Sequence, residues 1–267
     1  MPIKGLIVDL DGSVYVGDKP ISGVPEALEE LRSKGVKVLF LTNNTTKTPQ
    51  EYLKKLEGIG IKASIEEILT SGVIAASYIR RVYGPSRVFV VGTKALEEVL
   101  KSYGHEVVDS NSDVVVAGLD FDFDYQKLAR ASREVRRGAK FVATNTDATI
   151  PLEDDVMPGA GSIVKAIEVA SGVRPLVVGK PSRIAMREAI MRLGLRPPEV
   201  LIVGDRPETD VKMGKRFNCP TALVLTGVTK EVDLERLPEA LRPHFILKSL
   251  AEVLRLIENR QEEVMER

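Results

Sequence analysis

The chain has 267 residues, 43% of them hydrophobic and 28% charged, enough apolar material for one large α/β domain or two smaller ones. Lys plus Arg and Asp plus Glu number 38 each, which gives no electrostatic footing for nucleic acid or an anionic membrane as a general partner. The single cysteine, Cys219, excludes an internal disulfide and fits a reducing compartment.

No apolar run reaches membrane-spanning length, and the first fifteen residues lack a basic head with a small-residue cleavage site. The expectation is a cytoplasmic protein. In chain order, Lys4–Leu10 reads as a first strand and Pro25–Lys34 as a helix. A second strand ends at Leu41, and Thr48-Pro-Gln-Glu51 then opens a helix with a capping box and Pro at its first position. Ser64 and Glu67 repeat that capping signature. Strands follow at 87–92, 113–118 and 140–145, separated by amphipathic helices of about twelve residues. The pattern then resumes with LVVGK (176–180), a helix to Leu193, EVLIVGD (199–205), a helix from about Glu208 and TALVLTG (221–227). A last helix runs from Ser249, with QEEVMER as its frayed end. The strands are continuously apolar rather than alternating, which predicts burial on both faces of a parallel, doubly wound sheet.

Four motifs fall at predicted strand ends: Asp9-Leu-Asp11-Gly12, Thr42-Asn43-Asn44, Gly179-Lys180-Pro181 and Gly204-Asp205 through Asp210. Ligands of open parallel sheets bind beyond the carboxyl ends of the strands, so these groups are expected to converge there. Carboxylates taken out of water cost several kcal/mol each. Two held ~4 Å apart also repel by roughly 4 kcal/mol at an effective dielectric near 20. A dication offsets both costs, and Mg²⁺ takes oxygen ligands of this kind. A phosphate monoester is the natural guest. Asp9 is then the candidate nucleophile, and Asp11 the acid and base for the leaving alcohol and the attacking water. Thr42, Asn43 and Asn44 are candidates for holding phosphoryl oxygens, and Lys180 for neutralising charge. Asp205 completes the metal shell, with Asp210 behind it.

The set DLDGS, LTNN, VGKP and VGDRPETD, in this order, resembles the haloacid dehalogenase superfamily of aspartate-nucleophile hydrolases. FVATNTDATIP and MPGAGSIVKAIEVASG resemble its NagD-like, p-nitrophenylphosphatase-like branch. The resemblance implies a Rossmann-like core of 1–80 and 178–267 with an inserted α/β cap at 81–177. It further implies Mg²⁺ on the Asp9 and Asp205 side chains and the Asp11 carbonyl, and a small phosphorylated metabolite as substrate. The acid two residues after the nucleophile is what phosphatase members have and dehalogenases lack. Ser13 stands where many relatives carry Thr or a branched apolar residue.

Each motif also has a bland reading. Asp9 and Asp11 suit a strand-end turn, and Asp205 and Asp210 suit a helix start. Lys180 precedes proline rather than Ser or Thr, so it is no P-loop lysine. Gly159-Ala-Gly161 opens a helix rather than a dinucleotide site. Asn145 and Asp147 are candidate substrate-facing residues of the cap, and an exposed cap face leaves a homodimer open. Rival readings are a phosphomutase or phosphoryl transferase with the same intermediate, a receiver-like signalling module, and an idle phosphometabolite binder. Receiver domains are less than half this length and lack an inserted cap.

Overall fold

The apolar runs form two separate parallel sheets in a computed structural model that describes residues 2–151 and 156–258. The chain divides into two compact units. One comprises residues up to Thr42, Pro49–Leu69 and those from Met186 on; the other comprises Asn43–Thr48 and Thr70–Ala185. The segment 81–177 falls wholly within the second unit.

The sheet of the first unit has the order Phe245–Leu247, Thr221–Val224, Val200–Gly204, Gly5–Val8, Lys37–Thr42, Ile68–Thr70. Gly5–Val8 is fully buried, as its unbroken apolar run requires of a strand covered on both faces. It pairs in parallel with both neighbours, and Val8 lies opposite Val203 on one side and Phe40 on the other. That register brings Asp9, Asp205 and Thr42 to one edge of the sheet, within a residue of a common level. Later strands are added on opposite sides of Gly5–Val8, so this edge is the point where the winding reverses.

The helix Val24–Ser33 presents Val24, Ala27, Leu28 and Leu31 to the core, the i, i+3, i+4, i+7 stripe of an amphipathic helix. Val24, Leu28 and Leu31 join Leu6, Val8, Phe40, Tyr52 and Leu201 in one cluster. Each such side chain, fully buried, is worth about 1.5–3 kcal/mol.

The second unit's sheet runs Leu176–Val177, Lys140–Ala143, Val114–Ala117, Arg87–Val91, Glu106–Val107, every pair parallel. The helices Tyr125–Arg136 and Ala160–Ser171 cover it, with Val135, Ile163, Val164 and Ile167 packed on Phe89, Val115 and Phe141. Thr149–Pro151 pairs antiparallel with Val156–Pro158.

The structure corrects several expectations. LVVGK does not resume the first sheet: only Leu176–Val177 is strand, and it pairs with Lys140–Ala143 at the edge of the second. Lys180 therefore follows a strand of a different sheet from the one that carries Asp9. Ser64 and Glu67 do form a reciprocal cap, with the Ser64 N–H donating to Glu67 Oε2 at 2.8 Å. It starts only a three-residue 3₁₀ turn, Ile65–Glu67. The α-helix follows later, at Ser71–Tyr83, with Thr70 Oγ1 accepting from the Val73 N–H. The short strands Ile68–Thr70 and Phe245–Leu247 carry too few residues to show a period in sequence. The helix expected from Glu208 is a π-helical turn, Pro207–Val211, leading into Lys212–Arg216. Beyond Ser249 a 3₁₀ turn, Leu250–Glu252, precedes helical residues 253–258, and QEEVMER lies outside the described residues.

Candidate active site

The first unit gathers three buried acids. Oxygens of Asp9, Asp205 and Asp210 all lie within 4.8 Å of one another. Asp9 follows the strand Gly5–Val8, and its N–H donates to the Val203 carbonyl at 2.9 Å. Asp205 follows Val200–Gly204 and is 1% exposed. Asp210 sits in the π-helical turn, a form enriched at functional sites, with the Thr209 hydroxyl donating to its Oδ2 at 3.1 Å. The sequence placed Asp210 behind the site; its carboxylate is a full member of the cluster. The Asp11 carboxylate is not part of it.

Glycines make this crowding sterically possible. Gly12 has φ +80°, and a β-carbon there would lie 2.6 Å from Asp205 Oδ2 and 2.8 Å from Gly227 Cα. A β-carbon on Gly204 would collide with the Asp210 carboxyl that folds back over the strand end. The loop after Thr221–Val224 completes the frame. The Thr226 hydroxyl donates to the Gly12 carbonyl, and the Thr229 hydroxyl to the Asp205 carbonyl, each at 2.6 Å. The Val228 N–H donates to Asp205 Oδ2, also at 2.6 Å. Sequence reasoning did not single out this loop, although its polar run Thr226-Gly-Val-Thr229 directly follows a buried strand.

The electrostatics are those of a cation site. Burial first, and Asp9 next, push the Asp205 carboxyl up to about 7; the Val228 N–H pulls the other way and Asp210 adds a smaller push. Among the described residues Asp205 Oδ1 is buried without a hydrogen-bond partner. A buried acceptor left unsatisfied costs about 1–3 kcal/mol, more when charged. Hard carboxylate oxygens with an orphaned lone pair fit a divalent cation such as Mg²⁺.

In the second unit Asn43 acts as a clamp. Its Oδ1 accepts from the Lys180 N–H at 2.8 Å, while its Nδ2 donates to the Lys180 carbonyl at 3.1 Å and to both Asp147 oxygens at 3.2 Å. The Asn43 carbonyl accepts from the Ser71 hydroxyl and from Asn145 Nδ2, both at 2.8 Å. Asn145 Oδ1 in turn accepts from the Asp147 N–H at 3.0 Å. Asn145 is thus 4% exposed and turned onto the backbone, and Lys180 is 3% exposed. Asn44 Oδ1 closes a local turn by accepting from the N–H and hydroxyl of Thr46. Gly179 is required because a β-carbon there would strike the Thr144 carbonyl and Asn43 Oδ1. Ser71 escaped sequence reasoning; its only signal is its place after the strand-ending Thr70.

The two histidines and the single cysteine are structural. Buried His105 accepts from the Ser86 N–H and pairs with the Ala76 carbonyl, and His244 Nδ1 accepts from the Thr221 N–H. Cys219 is buried, and burial pushes its thiol up to about 12.

Known proteins are similar to this chain in sequence and fold. A profile of haloacid dehalogenase-like hydrolases matches residues 6–106, and one described as HAD-hydrolase-like matches 177–253. An acid sugar phosphatase of Staphylococcus saprophyticus is 36% identical over 256 residues, 96% of this chain and 98% of that one. The 5'-nucleotidase YutF of Bacillus subtilis is 37% identical over 227 residues, 85% and 89% of the two chains. Among solved structures, a p-nitrophenyl phosphatase from Archaeoglobus fulgidus superposes with a TM-score of 0.91 at 35% identity, covering 96% of this chain and all of that one. NagD from E. coli gives 0.85 at 32%, covering 94% and 98%. A glycerol phosphate phosphatase from Mycobacterium tuberculosis, solved in complex with magnesium, gives 0.85 at 35%, covering 96% and 76%. The chain belongs to the haloacid dehalogenase-like hydrolases, in their NagD-like, p-nitrophenylphosphatase-like branch. It is an enzyme, a phosphatase. Among the described residues no helix is long and apolar enough to cross a membrane.

Proposed function

We propose that the protein hydrolyses small phosphate monoesters, of sugar phosphate or nucleotide size, in two half-reactions on Asp9. The observation that carries this reading is the buried cluster of Asp9, Asp205 and Asp210 with one orphaned oxygen. Asp9, Asp205 and Asp210, with the Asp11 carbonyl, would hold Mg²⁺, which supplies positive charge to the substrate's phosphoryl oxygens.

An Asp9 carboxylate oxygen attacks phosphorus, and the bond from phosphorus to the ester oxygen breaks. Asp11, protonated, gives its proton to the departing alcohol. In the second half-reaction Asp11, now a carboxylate, takes a proton from water as that water attacks phosphorus, releasing orthophosphate and restoring Asp9. The Thr42 hydroxyl and the Asn43 backbone N–H hold non-bridging oxygens, and Lys180 balances their charge. The Asn43 side chain, spent on the Lys180 backbone and on Asp147, is a positioning group, and Asn145 positions Asn43. The insertion at 81–177 serves as the cap that sets leaving-group preference, with Asp147 its polar contact. The relatives named for sugar phosphate, nucleotide and nitrophenyl phosphate chemistry support this substrate class.

Asp9→Asn removes the nucleophile at constant volume. Turnover of p-nitrophenyl phosphate with Mg²⁺ should fall at least ~10³-fold, the scale of losing a nucleophile, with circular dichroism unchanged. Activity retained within tenfold refutes the assignment.

A further inference from the structure

The second unit contains a cavity that the phosphatase reading does not use. It has a volume of about 360 Å³, within the range of about 300–1,000 Å³ typical of small-molecule sites. It opens at the amino ends of the strands Lys140–Ala143 and Leu176–Val177. Asn145 and Lys180 follow the carboxyl ends of the same strands. A four-residue strand spans about 13 Å, so the two places are distinct.

The chemistry of its lining is specific. Val173 and Leu176 supply exposed apolar wall, and Tyr83, 40% exposed, contributes its ring. Tyr78 braces that ring edge-on, with centroids 6.2 Å apart and planes at 80°. A braced aromatic face loses little freedom when a flat molecule stacks on it. Lys140 and Arg174, both exposed, also line the cavity. Neither forms an ion pair among the described residues, and no carboxylate lines the space. The buried acid of the neighbouring helix, Glu134, is occupied by the N–H and hydroxyl of Ser112.

We propose that this cavity is a second binding site, for a small aromatic anion. Its ring stacks on Tyr83 against the apolar wall, and its acidic group meets Lys140 and Arg174. The charge argues against a second copy of the chain as occupant. Two copies meeting here would bring four like charges together without an acid to balance them.

The probe for the test is 8-anilinonaphthalene-1-sulfonate, titrated by fluorescence into the full chain with Mg²⁺ and saturating inorganic phosphate. One probe per chain is expected. Lys140→Glu with Arg174→Glu should weaken it at least tenfold, and Tyr83→Ala severalfold, with p-nitrophenyl phosphate turnover unchanged in both. Lys54→Glu with Lys248→Glu makes the same charge change on the first unit and should leave the affinity within twofold. Displacement of the probe by phosphate, equal loss in the control pair, or unaltered affinity in the cavity variants overturns the proposal.

Discussion

Removing divalent metal should make the stability of this protein fall as pH rises through neutrality, and Asp205 should be the cause. In the metal-free protein its carboxyl titrates at about 7 rather than 3.8. A group whose folded pKa is raised binds its proton more tightly when folded, so it stabilises the fold while protonated and costs stability once ionised. The window lies between 3.8 and about 7, with the loss complete above 7. Going from pH 5.5 to pH 8 spans about 1.5 pH units of it, a loss of about 2 kcal/mol. For a chain of this size that is about 4–8 °C in Tm. The assay is thermal unfolding in EDTA at those two pH values, for the wild type and Asp205→Asn. The variant cannot ionise at this position, so its slope should be shallower by that amount. Saturating Mg²⁺ should remove the wild-type loss, because the cation favours the ionised ligands. Equal slopes in wild type and variant would refute the reasoning.

Three further outcomes follow from particular contacts. Gly12→Ala places a β-carbon against Asp205 Oδ2 at a positive φ, where L-residues are strained by about 1–2 kcal/mol. The Mg²⁺ concentration for half-maximal activity should rise at least about tenfold, with the fold retained. Asn43→Asp replaces the donor that faces both Asp147 oxygens with a second carboxylate, and takes one donor away from the buried Lys180 carbonyl as well. A loss of about 2–4 kcal/mol in denaturant unfolding is expected, and Asn43→Ala should cost less. Cys219, buried and pushed up to about 12, should resist a thiol reagent at pH 8 in the native protein and react on unfolding.

The parts of the site that were legible in sequence are those that a parallel register fixes. Asp9, Thr42 and Asp205 each end or follow a long, continuously apolar run. Adjacent parallel strands necessarily bring such ends to one edge. Lys180 lacks that warrant. Its strand has two residues, too short to say which sheet it joins, and it joins the other one. The same brevity hid Ile68–Thr70, where the capping signature of Ser64 and Glu67 was obeyed locally by a single 3₁₀ turn.

Asp210 and Asn145 show a second kind of limit, in which residue type was informative and direction was not. An acid in the first turn of a predicted helix ordinarily faces solvent or caps the start. Here a π-helical turn reverses Asp210 towards Asp205, and this is sterically open only because Gly204 has no side chain. Asn145 has the polarity expected of a substrate contact. Its amide nevertheless finds two backbone partners within its own unit, and a buried amide keeps such partners because losing them costs about 1–3 kcal/mol. Motif reading therefore located Asp9 and Asp205 through the ends of continuously apolar strands. Which of the acids come together depends on where glycines permit close approach.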